Sequence, residues 1–277
     1  MLELKGKAVA DFHKEMLREK VAALVEQGIH ITMGIVLVGE DMASQMYASF
    51  MQKTAKAMGF EATTFSLPET ASQEEVEDLV KRLNADKSIH GILPMMPMPK
   101  HIDVEAVLDL MSPLKDLDGL TTKNAGLIAV GKKGFAPCTP RACMAILDYY
   151  HIPVEGREVA IIGRSNVVGK PLASLLLARN ATVTICHSKT EDLPAVVRRA
   201  DIVIVAIGKA EFVKAHMIKD GAVVIDVGIN ELDGKTVGDV DYDEVAQKTS
   251  AITPVPGGVG SVTTTMMLEA LWEAYHA

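Results

Sequence analysis

The apolar positions of the chain alternate between two spacings. Residues 7–27 carry apolar side chains at helical spacing and stop at Gly28, which predicts an amphipathic helix closed by glycine. "HITMGIVLVG" follows, nearly continuous in apolar residues, the pattern of a strand buried on both faces. "MASQMYASFMQKTAKAMGF", residues 42–60, reads as a second helix ending at Gly59. After it come the strand "EATTFSLP", the helix "SQEEVEDLVKRLN" and the strand "IHGILP". Ser72 and Glu75 have the spacing of a capping box at the start of that helix. The order β-α-β-α-β predicts a mostly parallel sheet with right-handed crossovers.

Periodicity then breaks. "PMMPMPKHID" and "LKDLDGLTTKNAGLIAVGKKGFAPCTP" are long and rich in Pro and Gly, and such segments are usually functional or linking. Pro140 is expected to open a helix that runs through Tyr150. A second α/β series follows: strand "REVAIIG", helix "VVGKPLASLLLARN", strand "ATVTICHS", helix "EDLPAVVRRA", and strands "DIVIVAIG" and "GAVVIDVG". "TTTMMLEALWEAYHA" closes the chain as a helix. The fold class is α/β, in two units joined near residues 120–140, with ligands expected at the carboxyl ends of strands.

Composition narrows the function. The 277 residues suffice for two domains, and 48% hydrophobic with 23% charged residues is ordinary for a globular chain. A net charge of −8 argues against nonspecific nucleic-acid binding but leaves anionic small molecules open. No apolar run approaches the roughly 20 residues of a membrane span, and the N-terminus lacks the apolar core of a signal peptide. Cys138, Cys143 and Cys186 cannot all pair and have no zinc spacing, so they read as reduced, buried thiols of a cytoplasmic protein without a metal site.

"AIIGRSNVVGKP" follows a strand and opens a helix, whose free N–H groups and dipole suit a phosphate. Gly163 permits the tight turn. The match to the dinucleotide fingerprint is imperfect, because Ser165 stands at the second glycine and Val168 at the third, with Gly169 beside it. A plain strand-to-helix turn therefore stays open. A nucleophile elbow is excluded, since Val167 stands where that motif needs glycine. The next strand ends in "CHSKTED", with Ser188 and Lys189 where an NAD site usually places an acid. With Arg164 they suit the extra phosphate of NADP, while Glu191 leaves NAD possible. Gly228 and Ile229, in "DVGIN", are candidate cofactor contacts where backbone can approach a ligand. "TPVPGGVGSVTTT" suits a wall for flat rings, or simply a loop between domains. In "KDLDGL", Asp116 reads as a turn-former, and Asp118 is the second carboxylate.

Taken in order, "ASQMY", "HGILP..PMPKHI", "KDLDGL", "PCTP", "GRSNVVGKP", "CHSKT", "DVGIN", "GDVD" and "TPVPGGVG" resemble the methylenetetrahydrofolate dehydrogenase/cyclohydrolase family, from about residue 30 to the C-terminus. The resemblance implies an N-terminal α/β catalytic domain (1–137 plus 262–277), a Rossmann-type NADP domain (138–261) and a folate cleft between them. It implies tetrahydrofolate derivatives as substrates and a homodimer through the cofactor domains. Tyr47 would stack on the folate's aromatic ring, Asp118 would bond the pterin, and Pro256, Gly257, Gly258 and Val259 would border the site. Gly163, Arg164, Ser165, Ser188, Lys189, Gly228 and Ile229 would meet the cofactor.

Two departures bear on chemistry. The family usually reads Tyr-x-x-x-Lys, with the lysine at the centre of the cyclohydrolase step; here Met51 takes that position. Its usual glutamine is Met95. Ala142 and Ser261 are smaller departures, from glycine and proline. On a helix, Met51 lies about 40° round from Tyr47, whereas Lys53 and Lys56 lie about 240° and 180° round, so neither is a natural substitute. Hydride transfer needs no proton relay, but hydrolysis does, and a thioether supplies none. The expectation is NADP-linked oxidation with cyclohydrolase activity weak or absent. The ordinary bifunctional enzyme and a non-catalytic folate- or nucleotide-binding protein are the alternatives.

Overall fold

The computed structural model describes all of residues 1–277. In chain order its elements are β1 (Leu2–Glu3), α1 (Gly6–Val25), β2 (Thr32–Val38), α2 (Met42–Ala57), β3 (Glu61–Leu67), α3 (Gln73–Ala85), β4 (Gly91–Pro94), α4 (Val104–Leu110), α5 (Thr122–Ala129) and α6 (Cys138–Tyr149). They continue with β5 (Glu158–Ile162), α7 (Gly169–Leu177), β6 (Thr182–Cys186), α8 (Leu193–Val197), β7 (Ile202–Val205), β8 (Val223–Asp226), β9 (Asn230–Leu232), β10 (Lys235–Val237), α9 (Tyr242–Ala246), β11 (Ala251–Ile252) and α10 (Gly260–Tyr275). The chain forms two compact units. One holds Met1–Phe12, Ile128–Gly131 and Pro137–Met266; the other holds His13–Leu127, Lys132–Ala136 and Met267–Ala277.

In the first unit a six-stranded sheet runs β1-β11-β8-β7-β5-β6, every pairing parallel. The strands of its centre are the apolar runs of the sequence: Ile161, Val203, Ile204, Val205, Val224 and Ile225 are all fully buried. β5 has β6 on one side and β7 on the other. The chain therefore leaves β5 in one direction and returns past it in the other, which opens a crevice at the carboxyl end of β5.

The second unit has a parallel sheet, β3-β2-β4. The capping box is present, with Glu75 N donating to Ser72 Oγ at 3.2 Å and Ser72 N donating to Glu75 Oε2 at 2.7 Å. A single parallel bridge, Ile92 with Asp116, lays the following segment alongside β4.

Several sequence boundaries shift. The helix expected from Pro140 opens at Cys138, because a proline in the first turn lacks only an N–H that has no partner there. The helix read through "EDLPAVVRRA" is five residues long, capped by Asp192. α5 falls within "LKDLDGLTTKNAGLIAVGKKGFAPCTP", expected to be irregular, and α4 lies between that segment and "PMMPMPKHID", capped by Asp103 accepting from Ala106 N at 3.2 Å. β1, β11 and the β9–β10 hairpin are too short to show a period. All three cysteines are free and buried, and burial pushes the Cys143 thiol up to about 12, which leaves it inert. No helix is long and apolar enough to cross a membrane.

Candidate active site

The turn after β5 is pinned from both flanks. Gly163 N donates to Cys186 O at 2.9 Å and Ala206 N donates to Ile162 O at 2.8 Å. A Cβ on Gly163 would overlap the Ala206 carbonyl, and one on Gly169 would overlap the Gly163 carbonyl, so both positions admit only glycine. Gly169 thus does the close-packing work of the fingerprint's last glycine, one residue later than that pattern. Ser165 Oγ accepts from Val168 N (3.1 Å) and from Gly169 N (3.4 Å). These two bonds tie the turn to the start of α7, whose N-cap residue is Val168.

Beside this turn is a recess of about 310 Å³ lined by Gly163, Arg164, His187, Ser188, Lys209 and Phe212, among others. Arg164 and Ser188, both expected at the cofactor, meet there. Lys189 is exposed and does not line it; its N–H donates to His187 Nδ1 at 3.1 Å. Nothing in the spacing of His187, Lys209 or Phe212 marks them. Their signal is position, since each follows the carboxyl end of β6 or β7.

A second recess, about 250 Å³, brings Gly228 and Ile229 together with Pro256, Gly257, Gly258 and Val259. The "TPVPGGVG" segment is anchored within its own unit, Gly6 N donating to Gly257 O at 2.8 Å. Gly228 is glycine because a Cβ there would overlap the Asp239 carboxylate. Asp226, at the end of β8, is buried and accepts from Gly228 N, Asp239 N and Val240 N at 2.9, 3.1 and 2.9 Å.

In the second unit the register gathers the remaining candidates at one end of the sheet. Met95 follows β4, and its N–H donates to Val36 O at 2.8 Å. The parallel bridge of Ile92 with Asp116 places Asp118 level with Pro94, one residue short of Met95. α2 begins at this same end, tied there by Ser44 Oγ donating to Met96 O at 3.1 Å. Tyr47 is half-buried and its ring centroid lies 6.5 Å from that of Phe50. Met51 is 0% exposed and Met95 is 6% exposed, whereas Lys53 and Lys56 are exposed. Asp116 is fully buried and accepts from Leu120 N, Thr121 N and Asn124 Nδ2, each at 2.9 Å, so it is the turn-former that its position predicts. Asp118 is half-buried on the turn so fixed.

The catalytic-domain model of tetrahydrofolate dehydrogenase/cyclohydrolase matches residues 4–118, and the NAD(P)-binding-domain model of the same family matches residues 137–277. The chain belongs to the tetrahydrofolate dehydrogenase/cyclohydrolase family. It is 50% identical over 266 residues to "Bifunctional protein FolD" of Campylobacter concisus, covering 96% of this chain and 94% of that protein. Among solved structures, a bifunctional FolD from Campylobacter jejuni superposes with a TM-score of 0.97 at 43% identity, over 100% of this chain and 99% of the other. The Trypanosoma brucei family member, solved with NADP cofactor and inhibitor, superposes with a TM-score of 0.93 at 36% identity, over 100% and 97%.

As a family member the chain has an NAD(P)-binding domain, and both recesses lie in the residues matched to it. Burial pushes the Asp226 carboxyl up to about 6, and the Asp239 charge adds to the rise, against three N–H donors that pull it down. The folded state then holds this proton more tightly than the unfolded chain. The stability it contributes is full below an ordinary carboxylate value of about 4, falls as pH rises to about 6, and is flat above that. Urea unfolding of wild type and Asp226→Asn across this range is expected to show a falling difference between about pH 4 and 6. A constant difference would place the Asp226 proton elsewhere.

Proposed function

We propose that the chain oxidises 5,10-methylenetetrahydrofolate to the 5,10-methenyl cation by hydride transfer to NADP. The hydride leaves the methylene carbon with its electron pair and arrives on the nicotinamide ring; no proton moves. Such a step needs two ring systems held face to face at near-attack distance. The observation that carries the reading is that one chain matches both the catalytic and the NAD(P)-binding models of this family. Tyr47 stacks on the substrate's aromatic ring, Asp118 accepts from the pterin edge, and Pro256, Gly257, Gly258 and Val259 border the reacting rings. Gly163, Arg164, Ser165, Ser188, Lys189, Gly228 and Ile229 serve the cofactor. Folate-binding parts at 1–137 plus 262–277, a cofactor part at 138–261, a homodimer and a cytoplasmic location belong to the same proposal.

The second step is water attack on the methenyl carbon, giving 10-formyltetrahydrofolate. The names of the two Campylobacter relatives, both bifunctional, support the ordinary bifunctional reading better than the expectation of weak or absent hydrolysis. One observation favours oxidation alone. Met51 and Met95 are buried thioethers where the family usually has lysine and glutamine, and neither moves a proton at neutral pH.

For the cofactor, Arg164 and Ser188 line one recess, a guanidinium and a hydroxyl suited to a 2′-phosphate. kcat/KM is expected to be higher with NADP than with NAD. Arg164→Ala is expected to lower it about tenfold or more for NADP and little for NAD, since a charge-assisted bond is worth about 1.5–3 kcal/mol. Lys189→Ala follows the same direction with a smaller effect, because Lys189 stands outside that recess. Equal or higher efficiency with NAD contradicts the assignment.

A further inference from the structure

The hydride step makes no use of Asp226 and Asp239, yet these two buried aspartates hold together the backbone around both recesses. Asp239 is 0% exposed. Its Oδ2 accepts from Ile207 N (2.7 Å) and Gly208 N (3.0 Å), and its Oδ1 accepts from Lys209 N (2.7 Å) and Asn230 Nδ2 (2.9 Å). Successive backbone N–H groups converging in this way form a concavity that binds anions. Here the protein fills it with a carboxylate of its own. Asp226 Oδ1 accepts from Asp239 N as well as from Gly228 N, and its Oδ2 from Val240 N.

The two loops so held are those that line the recesses. The loop after β7 carries Ile207 and Lys209 into the recess that contains Arg164 and Ser188. The loop after β8 carries Gly228 and Ile229 into the recess that contains Pro256–Val259. One pair of carboxylates therefore sets the backbone of both.

We propose that Asp239, oriented by Asp226, is a positioning residue for the dinucleotide, holding the Ile207–Lys209 loop in its binding conformation. The inference rests on the reading of the chain as an NADP-linked dehydrogenase. The chemistry requires a carboxylate. Four N–H donors converge on Asp239, and only an ionised carboxylate offers acceptors alone. Asparagine has nearly the same shape but would turn an NH₂ toward two of these four donors. Donors would then face donors in a buried place, and the loop would have to move.

The test uses the full chain as wild type, Asp239→Asn and Asn230→Ala. NADP affinity is measured by calorimetry, KM for both substrates by steady-state kinetics, and amide exchange by mass spectrometry. Asp239→Asn is expected to weaken NADP binding about tenfold or more while KM for methylenetetrahydrofolate stays within about twofold. Amides 207–209 should lose protection in that variant while those of β5 keep it. Asn230→Ala removes one neutral donor and is expected to weaken NADP about two- to fivefold. NADP affinity within about twofold of wild type for Asp239→Asn, with amides 207–209 still protected, overturns the inference. So does an equal rise of both KM values with protection lost across the sheet, the mark of a merely structural role. If Asp239→Asn does not fold, an unchanged NADP affinity in Asn230→Ala overturns it. A wild type that binds no NADP fails differently, since it removes the functional reading itself.

Discussion

Asp118→Ala is expected to lower kcat/KM for methylenetetrahydrofolate by about 10²-fold or more while leaving NADP affinity within about twofold of wild type. The aminopyrimidinone edge of a pterin presents two N–H donors side by side, and a carboxylate accepts both at once. Each such charge-assisted bond is worth about 1.5–3 kcal/mol, so losing two costs about two to four factors of ten. Asp118 is suited to this because its neighbour carries the structural load. Asp116 is buried and satisfied by three donors from the following turn, and the register sets Asp118 level with the end of β4. Asp118→Asn keeps the shape and one acceptor, and is expected to fall between wild type and alanine. Steady-state kinetics with each substrate varied in turn makes the comparison. Normal folate turnover in Asp118→Ala would mean that the carboxylate serves the turn alone.

The double variant Met51→Lys with Met95→Gln is expected to hydrolyse added methenyltetrahydrofolate about 10²-fold or more faster than wild type, the usual contribution of a positioned acid/base group. Met51→Lys alone is expected to gain little. Position 51 is fully buried, and an ammonium there would lose its proton as desolvation lowers its pKa. Met95→Gln supplies a hydrogen-bond partner but no proton donor of useful strength. Residues acting as a unit are non-additive, so the pair should exceed the two single variants combined. The decay of methenyl absorbance against a buffer blank gives all four rates. A wild-type rate as high as that of the double variant would favour the bifunctional reading that the relatives' names support. Water would then be activated by a group other than the side chains at positions 51 and 95.

Much of the fold was legible because its main strands and helices are long and periodic. The β2 and β7 strands are continuous apolar runs, and α3 carries its start signal in Ser72 and Glu75. What escaped is what tertiary pairing alone creates. β1 and β11 are two residues each and exist because they add to the edge of a sheet. α5 sits in a Gly-rich stretch that conceals its short period, and α4, at seven residues, spans only about two turns. At the site, Gly163, Arg164, Ser188 and the "TPVPGGVG" segment stand out in local sequence as candidate contacts, and the structure places them at the two recesses. Ser165 stands out in the sequence only at the fingerprint's second glycine position, while in the structure its hydroxyl accepts from Val168 N and Gly169 N. Lys209, Phe212 and the paired Asp226 and Asp239 were not readable, because their partners lie up to 32 residues away along the chain.

The central claim is hydride transfer from the folate's methylene carbon to NADP, and a labelled substrate tests it most directly. Methylenetetrahydrofolate carrying deuterium on the methylene carbon is incubated with the protein and NADP, and the reduced cofactor is isolated and weighed by mass spectrometry. Deuterium is expected in the reduced nicotinamide ring, in step with formation of the methenyl product. Reduced cofactor without deuterium, or no reduction at all from a protein that binds both ligands, would contradict it.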